Sequence, residues 1–464
     1  MFDDRLCKLV WQLGEKFGIK VYPVGGAVRD FLLNKPVTDY DFLIRGEKTS
    51  VIPFLEQLKE EFSLTVVRPA GFDIYRLVNK NLCLDFTVLK KSETMEKNLE
   101  SRDFTINSFA FDFFKGEYIC PPGGWEDFNN RVLKSFNLKN LTDDPVRILR
   151  LYRFYSVLEG FSPEKETENY ALKNAELIKK AAKERIKEEI IKIFRSDNGF
   201  KAVERGYPIF AVIFPFLGKI EDIPQNGYHH LNVKEHTLEV LKSCFDYKKF
   251  LSLLPDFPLR LSDEDKVVLR LAALFHDAGK YKTFAYNEKG ITTFRNHQFE
   301  SASIVLEQLS FFPKRIIERV YLLVRRHMVF LNFIINGYSR KSFRKLLNLM
   351  REDSLLLLLL FLADKNAARG ELSKGNFEKA VEIAKAFVEF YLNEKEQILN
   401  LPKLVSGFDV INILEIAPSK KVGEVLNMIT EKQLENPNFT REEALKLIYS
   451  LKNEIKDKEE TDEG

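Results

Sequence analysis

Cysteine is scarce in this chain. Cys7, Cys83, Cys120 and Cys244 lie far apart in 464 residues, with neither the paired spacing of a metal knuckle nor the density of a disulfide framework. A reducing cytoplasm is the simple reading. Long apolar runs are lacking as well. The longest, LLLLLLFLA at 355–363, is about half of the ~20 residues a bilayer crossing needs and reads as a buried helix. The N-terminal stretch lacks the basic segment, apolar core and small-residue cleavage site of a secretory signal. There is no excess of charge of one sign: a formal +3 does not by itself announce a nucleic-acid partner. Internal repeats and low-complexity linkers are absent. These absences exclude a membrane span and a disulfide-stapled secreted domain.

What is present is a soluble globular composition, 45% hydrophobic and 30% charged, in a chain long enough for roughly three or four domains. Charge is unevenly spread. PKRIIERVYLLVRR (313–326) and SRKSFRKLL (339–347) are locally basic, with Arg340/Arg344 and Lys341/Lys345 at helical i,i+4 spacing. Such faces suit a polyphosphate backbone or plain solvent.

The pattern changes along the chain. KVYPV (20–24), DYDFLI (39–44), LTVVRP (64–69), FDIYRLV (72–78) and NLCLDFTVL (81–89) read as strands, with turns at Gly71 and Asn79-Lys80-Asn81. From about residue 137 the pattern is almost entirely helical. All six histidines fall between 229 and 327, which marks a distinct unit. The tail NEIKDKEETDEG is charged, lacks aromatics and is expected to fray.

Within PVTDYDFLIRG (36–46), two carboxylates interrupt a run of strand formers. Strand alternation would point Asp39 and Asp41 to one face, where like charges repel and resist burial. Mg²⁺ would satisfy them, since it takes one or two carboxylates plus substrate phosphates. Paired ions can stabilise both oxygens of an in-line displacement. Just upstream, VGGAVRDFLL (24–33) reads as a strand, a Gly25-Gly26 turn and a helix. Glycines permit close backbone approach to a ligand, and a helix start offers free N–H groups to phosphate. An ordinary tight turn would look the same. Asp85, on another expected strand, would complete the metal site or be a solvated edge residue.

GGAVRDFLLNKPVTDYDFLIRGE (25–47) resembles the signature of the class II (bacterial) tRNA nucleotidyltransferase and poly(A) polymerase family. SRDFTINSFAFD (101–112), PPGGWEDFNNRVLKS (121–135) and DDPVRILRLYRF (143–154) resemble its following motifs, in the family's order. The resemblance implies an α+β nucleotidyltransferase head, a mixed β-sheet with helices (1–136), then mainly α-helical neck and body (137–222), HD domain (223–370) and tail (371–464). By the same resemblance Asp39 and Asp41 would bind Mg²⁺ as catalytic carboxylates, and Asp85 is added to that set from its place on the neighbouring expected strand. Gly25, Gly26 and Arg29 match the triphosphate-facing turn. Arg102, Asp103 and Asn107 match the motif contacting sugar and phosphates, with Ser101 where the family usually has a further arginine.

DDPVR also has a local reading: Asp144-Pro145 as N-cap and N1 of a helix, with an Asp143–Arg147 ion pair at i,i+4. The resemblance instead makes Asp144 and Arg147 a template that reads the incoming base. An acceptor beside a multi-donor guanidinium complements the amino and ring-acceptor edge of cytosine or adenine. Arg150 and Arg153 of the same motif join the nucleotide-binding set.

Family members that switch from C to A carry a flexible loop before RDFTIN. Here only KKSETMEKNLES (90–101) separates the strand from Arg102. That implies the CC-adding type, using CTP and leaving the last A to a separate A-adding enzyme. A complete CCA-adding enzyme that also uses ATP is the alternative, and a poly(A) polymerase ranks lower.

GYHHLNVKEHTLEVLK (227–242), LAALFHDAGK (271–280), NHQFESA (296–302), RRHMVF (325–330) and LADKNA (362–367) form a second constellation. A lone histidine is usually a packed residue, but an adjacent His-Asp on an apolar helix is costly to bury without a partner. His236, His276, Asp277 and Asp364 would give a mixed imidazole–carboxylate site for a divalent transition metal. The pattern is similar to the HD superfamily of metal-dependent phosphohydrolases, in which His297 and His327 match positions serving a second metal. The rival reading is therefore a phosphodiesterase acting on RNA ends. The C-terminal segment 401–429 resembles the family's tail, with Pro418-Ser419-Lys420-Lys421 facing tRNA phosphates or solvent. The acceptor stem and T arm of tRNA would be recognised by shape.

Overall fold

The computed structural model describes residues 4–462 apart from 38, 68–73, 255, 259 and 437, and side chains as far as 452. The expected turn at Gly71 lies outside the described residues. The chain divides into two compact units, residues 1–215 and 216–464.

The first unit is built on a seven-stranded sheet in the order β3-β4-β5-β2-β1-β6-β7. Its strands are β1 (Lys20–Val24), β2 (Tyr40–Arg45), β3 (Thr65–Val67), β4 (Ile74–Val78), β5 (Cys83–Val88), β6 (Ala110–Asp112) and β7 (Glu117–Ile119). Only β2 and β5 run parallel within it; their neighbours are antiparallel, so the sheet is mixed as expected. The β4–β5 turn is an Asx turn, in which the Asn79 side chain accepts from the amides of Asn81 and Leu82. The very short strands β6 and β7 were not legible as strands.

Strand alternation sorts β2 cleanly. Phe42 and Ile44 join a core with Phe86 and with Phe54 of the helix Lys48–Glu61. Phe42 and Phe86 stack across the parallel pair at 5.0 Å. Leu43 faces the other side, against Val24, Met95 and Leu99. Asp41 shares that second face, which is how a carboxylate comes to sit on an otherwise apolar strand.

Past residue 137 this unit is helical, including Lys139–Asp143, Val146–Val157 and Lys183–Arg195. A two-residue pairing of Val132–Leu133 with Ser162–Pro163 interrupts the helices.

The second unit is a helical bundle with one small hairpin, Phe284–Tyr286 paired to Thr292–Phe294. The helix Val233–Phe245 opens with an Asn232/Glu235 capping box, and Asp263–Phe275 with a Ser262/Asp265 box. Both pack against Asp353–Ala367, whose leucine run 355–360 is buried throughout. No described helix is long and apolar enough to cross a membrane. The four cysteines are free thiols.

The basic cluster at 339–347 has its charges committed within the fold. Arg340 and Arg344 both hold the buried Glu394 of the helix Asn376–Leu399, while Lys341 and Lys345 pair with Glu435 and Glu431 of Lys420–Glu435. In the other basic stretch Arg319 is engaged by Glu264, Asp265 and Asp353. The last three helices, Gly407–Leu414, Lys420–Glu435 and Arg441–Asp462, close a small core of their own around Val410, Ile429 and Ile448. The helix Arg441–Asp462 continues into the charged tail, where Lys and Glu are good helix formers.

Candidate functional sites

The first site forms where β1 ends. Gly25 has φ +67° and caps the short helix Gly26–Leu32, while its amide donates to the Phe109 carbonyl at 2.9 Å. A Cβ there would lie 2.4 Å from Arg102 Nη1 and 3.3 Å from Asp41 Oδ2. Glycine is therefore required twice, for its backbone angle and for the close approach of these two side chains. The expected turn, carboxylate and RDFTIN arginine do meet at one point.

Asp39 is an exposed residue just before β2, and Asp41 is half-buried within it. Asp41 and Asp85 are direct partners in the parallel register of β2 and β5. Burial pushes the Asp41 carboxyl above its ordinary value; Arg102 pulls it back, and Asp85 and Asp39 push it further up. A carboxylate under that load suits a cation. Asp85 is gripped from the other side by Arg76, through bonds of 2.7 and 2.6 Å. Among the described residues, the triads close enough to share one ion are all elsewhere in the chain. Asp41 and Asp85 thus stand side by side, Asp85 already partnered by Arg76, with Asp39 acting on Asp41 from just outside the strand.

Behind this pair runs a network of ionised side chains. Arg29 donates to Asn107 at 2.6 Å and to Asp30 at 2.8 and 2.9 Å, while its Nη2 lies 3.5 Å from where a Cβ on Gly26 would stand, so it sits beside the turn with its guanidinium already partnered. Asn107 donates to Asp103 at 2.8 Å, and Arg150 pairs with the other Asp103 oxygen at 3.0 Å. Arg153 pairs with Glu189 at 2.5 Å and lies over the Phe154 ring. Burial alone would raise Asp103; Arg150, Asn107, Arg147 and Arg153 outweigh it and hold the carboxyl below its ordinary value. Burial lowers Arg153 to about 10, against the pull of Glu189.

The DDPVR segment differs from its local reading. The helix begins at Val146, and Asp144 makes no cap bond to it. Both Asp144 oxygens accept from Arg185, at 2.8 and 2.7 Å. Arg147 stands 3.6 Å from Asp144, and it is Asp144 rather than Asp143 that it approaches. Arg147 Nη1 is fixed by the carbonyls of Ser101 and Asn140. Sequence reasoning missed Arg185 and Glu189, because the helix Lys183–Arg195 is charged at most non-isoleucine positions and nothing singles these two out.

The second site lies at helix ends of the other unit. His276 and Asp277 follow Asp263–Phe275, His297 opens His297–Gln308, His327 follows Lys314–Arg326, and His236 and Asp364 sit within buried helices. His276, His297 and His327 each place Nδ1 at 2.7–2.8 Å from the carbonyl three residues earlier. A carbonyl only accepts, so each Nδ1 carries a proton, and in the neutral ring each Nε2 presents a lone pair. Those lone pairs converge. His297 and His327 Nε2 are 3.1 Å apart, and His276 Nε2 has no hydrogen-bond partner.

Asp277 lies between them. Its Oδ2 is 3.2 Å from His276 and 3.6 Å from His236, and its Oδ1 is 3.2 Å from His297 and 3.9 Å from His327. Asp364 stands 3.0 Å from His236. His236, His276 and Asp364 could share one ion, and Asp277, His297 and His327 another. Burial and the neighbouring imidazoles lower His327 to about 3. For Asp277 burial acts upward, but His276 and Lys280 hold it well below the usual carboxylate range. Facing lone pairs around ionised carboxylates fit divalent cations.

Asp277, His297, His327 and Asp364 of this set line a cavity of about 550 Å³, together with His229, Lys280, Lys365, Leu331 and Ile335. Lys280 Nζ is 2.7 Å from Asp277, and Lys365 Nζ 3.0 Å from Asp364. The lysines and His229 were not singled out from sequence.

Comparison with known proteins bears on both sites. Residues 21–134 match the Poly A polymerase head domain, 160–220 the probable RNA and SrmB-binding site of polymerase A, and 233–369 the HD domain. The CC-adding tRNA nucleotidyltransferase of Thermus thermophilus is 32% identical over 441 residues, covering 91% of this chain and 92% of that protein. The A-adding tRNA nucleotidyltransferase of Deinococcus radiodurans is 30% identical over 436 residues, covering 91% and 93%. Among solved structures, the CCA-adding enzyme of Thermotoga maritima in complex with tRNA superposes with a TM-score of 0.57 at 21% identity, covering 96% of this chain and 94% of that one.

Proposed function

Because the chain belongs to the tRNA nucleotidyltransferase family, we propose that it is the CC-adding form, joining two cytidines from CTP to the 3′ end of tRNA and leaving the final A to a separate enzyme. Overall similarity does not choose, since a CC-adding and an A-adding relative are about equally alike. The segment before Arg102 favours the choice. Only residues 89–94 lead from β5 to the helix Met95–Glu100, whose Met95 and Leu99 are buried. So short a connection leaves little chain with which to reshape a pocket from C to A.

The reading divides the chain into a head (1–136), neck and body (137–222), HD domain (223–370) and tail (371–464). Both matched families depend on a divalent metal. Asp39 and Asp41 would hold Mg²⁺, which stabilises the attacking and leaving oxygens of an in-line displacement. The tRNA 3′-hydroxyl attacks the α-phosphate of CTP and pyrophosphate leaves. Arg102, over the Gly25-Gly26 turn, meets the triphosphate charge, and the Arg29–Asn107–Asp103–Arg150 network backs it. Asp144 accepts from the cytosine amino group, and Arg147 donates to its ring acceptors. Uracil reverses both positions and is refused. Acceptor stem and T arm dock by shape, and the exposed Lys420 and Lys421 are available to phosphates. The observation that carries the proposal is the junction at Gly25, where Asp41 and Arg102 crowd a turn that only glycine can make.

A second activity is favoured by the completeness of the other site. Its six ligands and flanking lysines suit a metal-dependent phosphohydrolase with a divalent transition metal.

The test uses tRNA transcripts ending at the discriminator base and at -C-C, with Mg²⁺ and CTP, ATP or both. Addition of two cytidines and no A is the expected result. A terminal A on both substrates makes it a full CCA-adding enzyme, and A on the -C-C transcript alone an A-adding one.

A further inference from the structure

Lys365 is only 8% exposed, and its Nζ meets the Asp364 carboxylate at 3.0 Å. Asp364 also faces His236 and belongs to one of the two triads that could share an ion. One carboxylate would thus balance both a buried ammonium and a metal ion. Asp277 is in the same position, with Lys280 at 2.7 Å and the other triad around it. The two lysines already match the two carboxylates, so each divalent ion held here adds positive charge that this set does not offset. Buried charge without a counter-charge is costly. An anionic ligand removes that cost.

The positive charge extends past the metal-lined cavity. Lys365, Ala368 and Ser373 line both that cavity and a second pocket of about 270 Å³, to which Arg369, Lys374 and Glu378 also contribute. Three cations face one carboxylate there. Arg369 spends its Nε on the Asn366 carbonyl at 3.0 Å, and among the described residues no carboxylate pairs with it. Lys374 pairs with Glu371, but both are mostly exposed and such a pair is weak. The helix Asn376–Leu399 starts at this pocket without a side-chain cap, so its first amides add to the positive side.

The loop carrying these groups is fixed to the metal site. The amide of Gly370 donates to the Tyr228 carbonyl and that of Leu372 to the Gly227 carbonyl, both at 3.1 Å. Gly370 packs so closely on Gly227 and His229 that a Cβ has no room. The remaining cavity lining includes Phe294, Met328, Leu331 and Ile335, which suits the body of a nucleoside better than a bare phosphate chain.

We infer that the two pockets form one binding site for a nucleotide with two phosphates on the same nucleoside. The metal-lined cavity takes the first phosphate, and Lys365, Arg369 and Lys374 take the second. A nucleoside 3′,5′-bisphosphate and the phosphorylated 3′ end of an RNA share that chemistry. The inference rests on the reading of the histidine-rich unit as a metal-dependent phosphohydrolase.

The experiment is calorimetric titration of the full chain, equilibrated with Mn²⁺, with uridine 3′-monophosphate and with uridine 3′,5′-bisphosphate. Chromatography confirms that both ligands stay intact over the titration. Uridine is used because the transfer site, as proposed, refuses uracil. The bisphosphate is expected to bind about tenfold more tightly or better, and Arg369→Gln to shrink that ratio severalfold. Equal affinities, or the same ratio in Arg369→Gln, overturn the inference. Should Arg369→Gln fail to fold, the exposed Lys374→Gln decides: a reduced ratio supports the inference and an unchanged one overturns it. The dinucleotide UpUp, with a terminal 3′-phosphate, separates the sources. If it keeps the advantage of the bisphosphate the ligand is an RNA end, and if it loses it the ligand is the free bisphosphate; both support the two-phosphate site. Asp277→Ala is the control. If neither ligand binds differently there, the phosphohydrolase reading fails; if both bind more weakly there but the two ligands are alike in the parent chain, only this inference fails.

Discussion

Asp41 and Asp85 stand opposite one another in the parallel register of β2 and β5, yet their charges are handled differently. Arg76 neutralises Asp85 with two bonds, while burial and its acidic neighbours raise Asp41 against the pull of Arg102. The strand pair thus keeps one carboxylate satisfied and one in need of a cation.

Asp41→Asn is accordingly expected to abolish cytidine addition, by at least about a hundredfold, with no loss of thermal stability. Removing the disfavoured charge favours the fold while Arg102 loses a nearby carboxylate, and the two effects offset. Asp85→Asn should reduce addition far less, because that carboxylate is already committed to Arg76. Incorporation of labelled CTP alongside thermal unfolding checks both, and a large drop in melting temperature for Asp41→Asn would contradict the account.

The histidine-rich unit should bind two divalent ions per chain. Asp277 offers one oxygen to each half of the site, so Asp277→Ala is expected to lose both ions and His327→Ala one. Metal counting by mass spectrometry after equilibration with Mn²⁺ reads this directly. Cytidine addition should survive both changes, since the carboxylates proposed for transfer belong to the other compact unit. One ion lost in each variant would mean that Asp277 does not bridge.

Much of this was legible in the sequence where local chemistry dominates. Alternation in β2 places Asp41 on one face with Leu43, although Asp39, expected on the same strand, precedes it, and the His-Asp doublet at 276–277 marked its site because burying both groups needs a partner. Three things were hidden, each for a physical reason. The charges at 339–347 look free in sequence, but their partners Glu394, Glu431 and Glu435 lie far along the chain. The Asp143–Arg147 pair was expected from i,i+4 spacing, but the helix starts only at Val146, so Asp143 falls outside its first turn. Arg185 and Glu189 sit in a helix crowded with like residues, where periodicity locates the buried face and says nothing of which charge meets what. Packing between distant segments decided the first and the third, and a helix boundary the second.

The Asp103 carboxyl links this packing to pH. Arg150, Asn107, Arg147 and Arg153 together hold it below the ordinary value of 3.8, despite burial. For an acid whose folded pKa is depressed, the folded state binds fewer protons than the unfolded one just below that ordinary value. Its contribution is therefore fully present above pH 3.8 and is lost as the pH falls through the lower, folded pKa. Stability from denaturant unfolding at a series of pH values should decline over that acid range. In Asp103→Asn, which keeps the oxygen that accepts from Asn107 and the Phe104 amide but cannot titrate, the decline should be shallower. The variant should also be less stable at neutral pH, because Arg150 loses its carboxylate partner while Glu189 remains 3.9 Å away. Parallel pH profiles for the two proteins would show that Asp103 is not depressed and that the arginine network is held together by Glu189 alone.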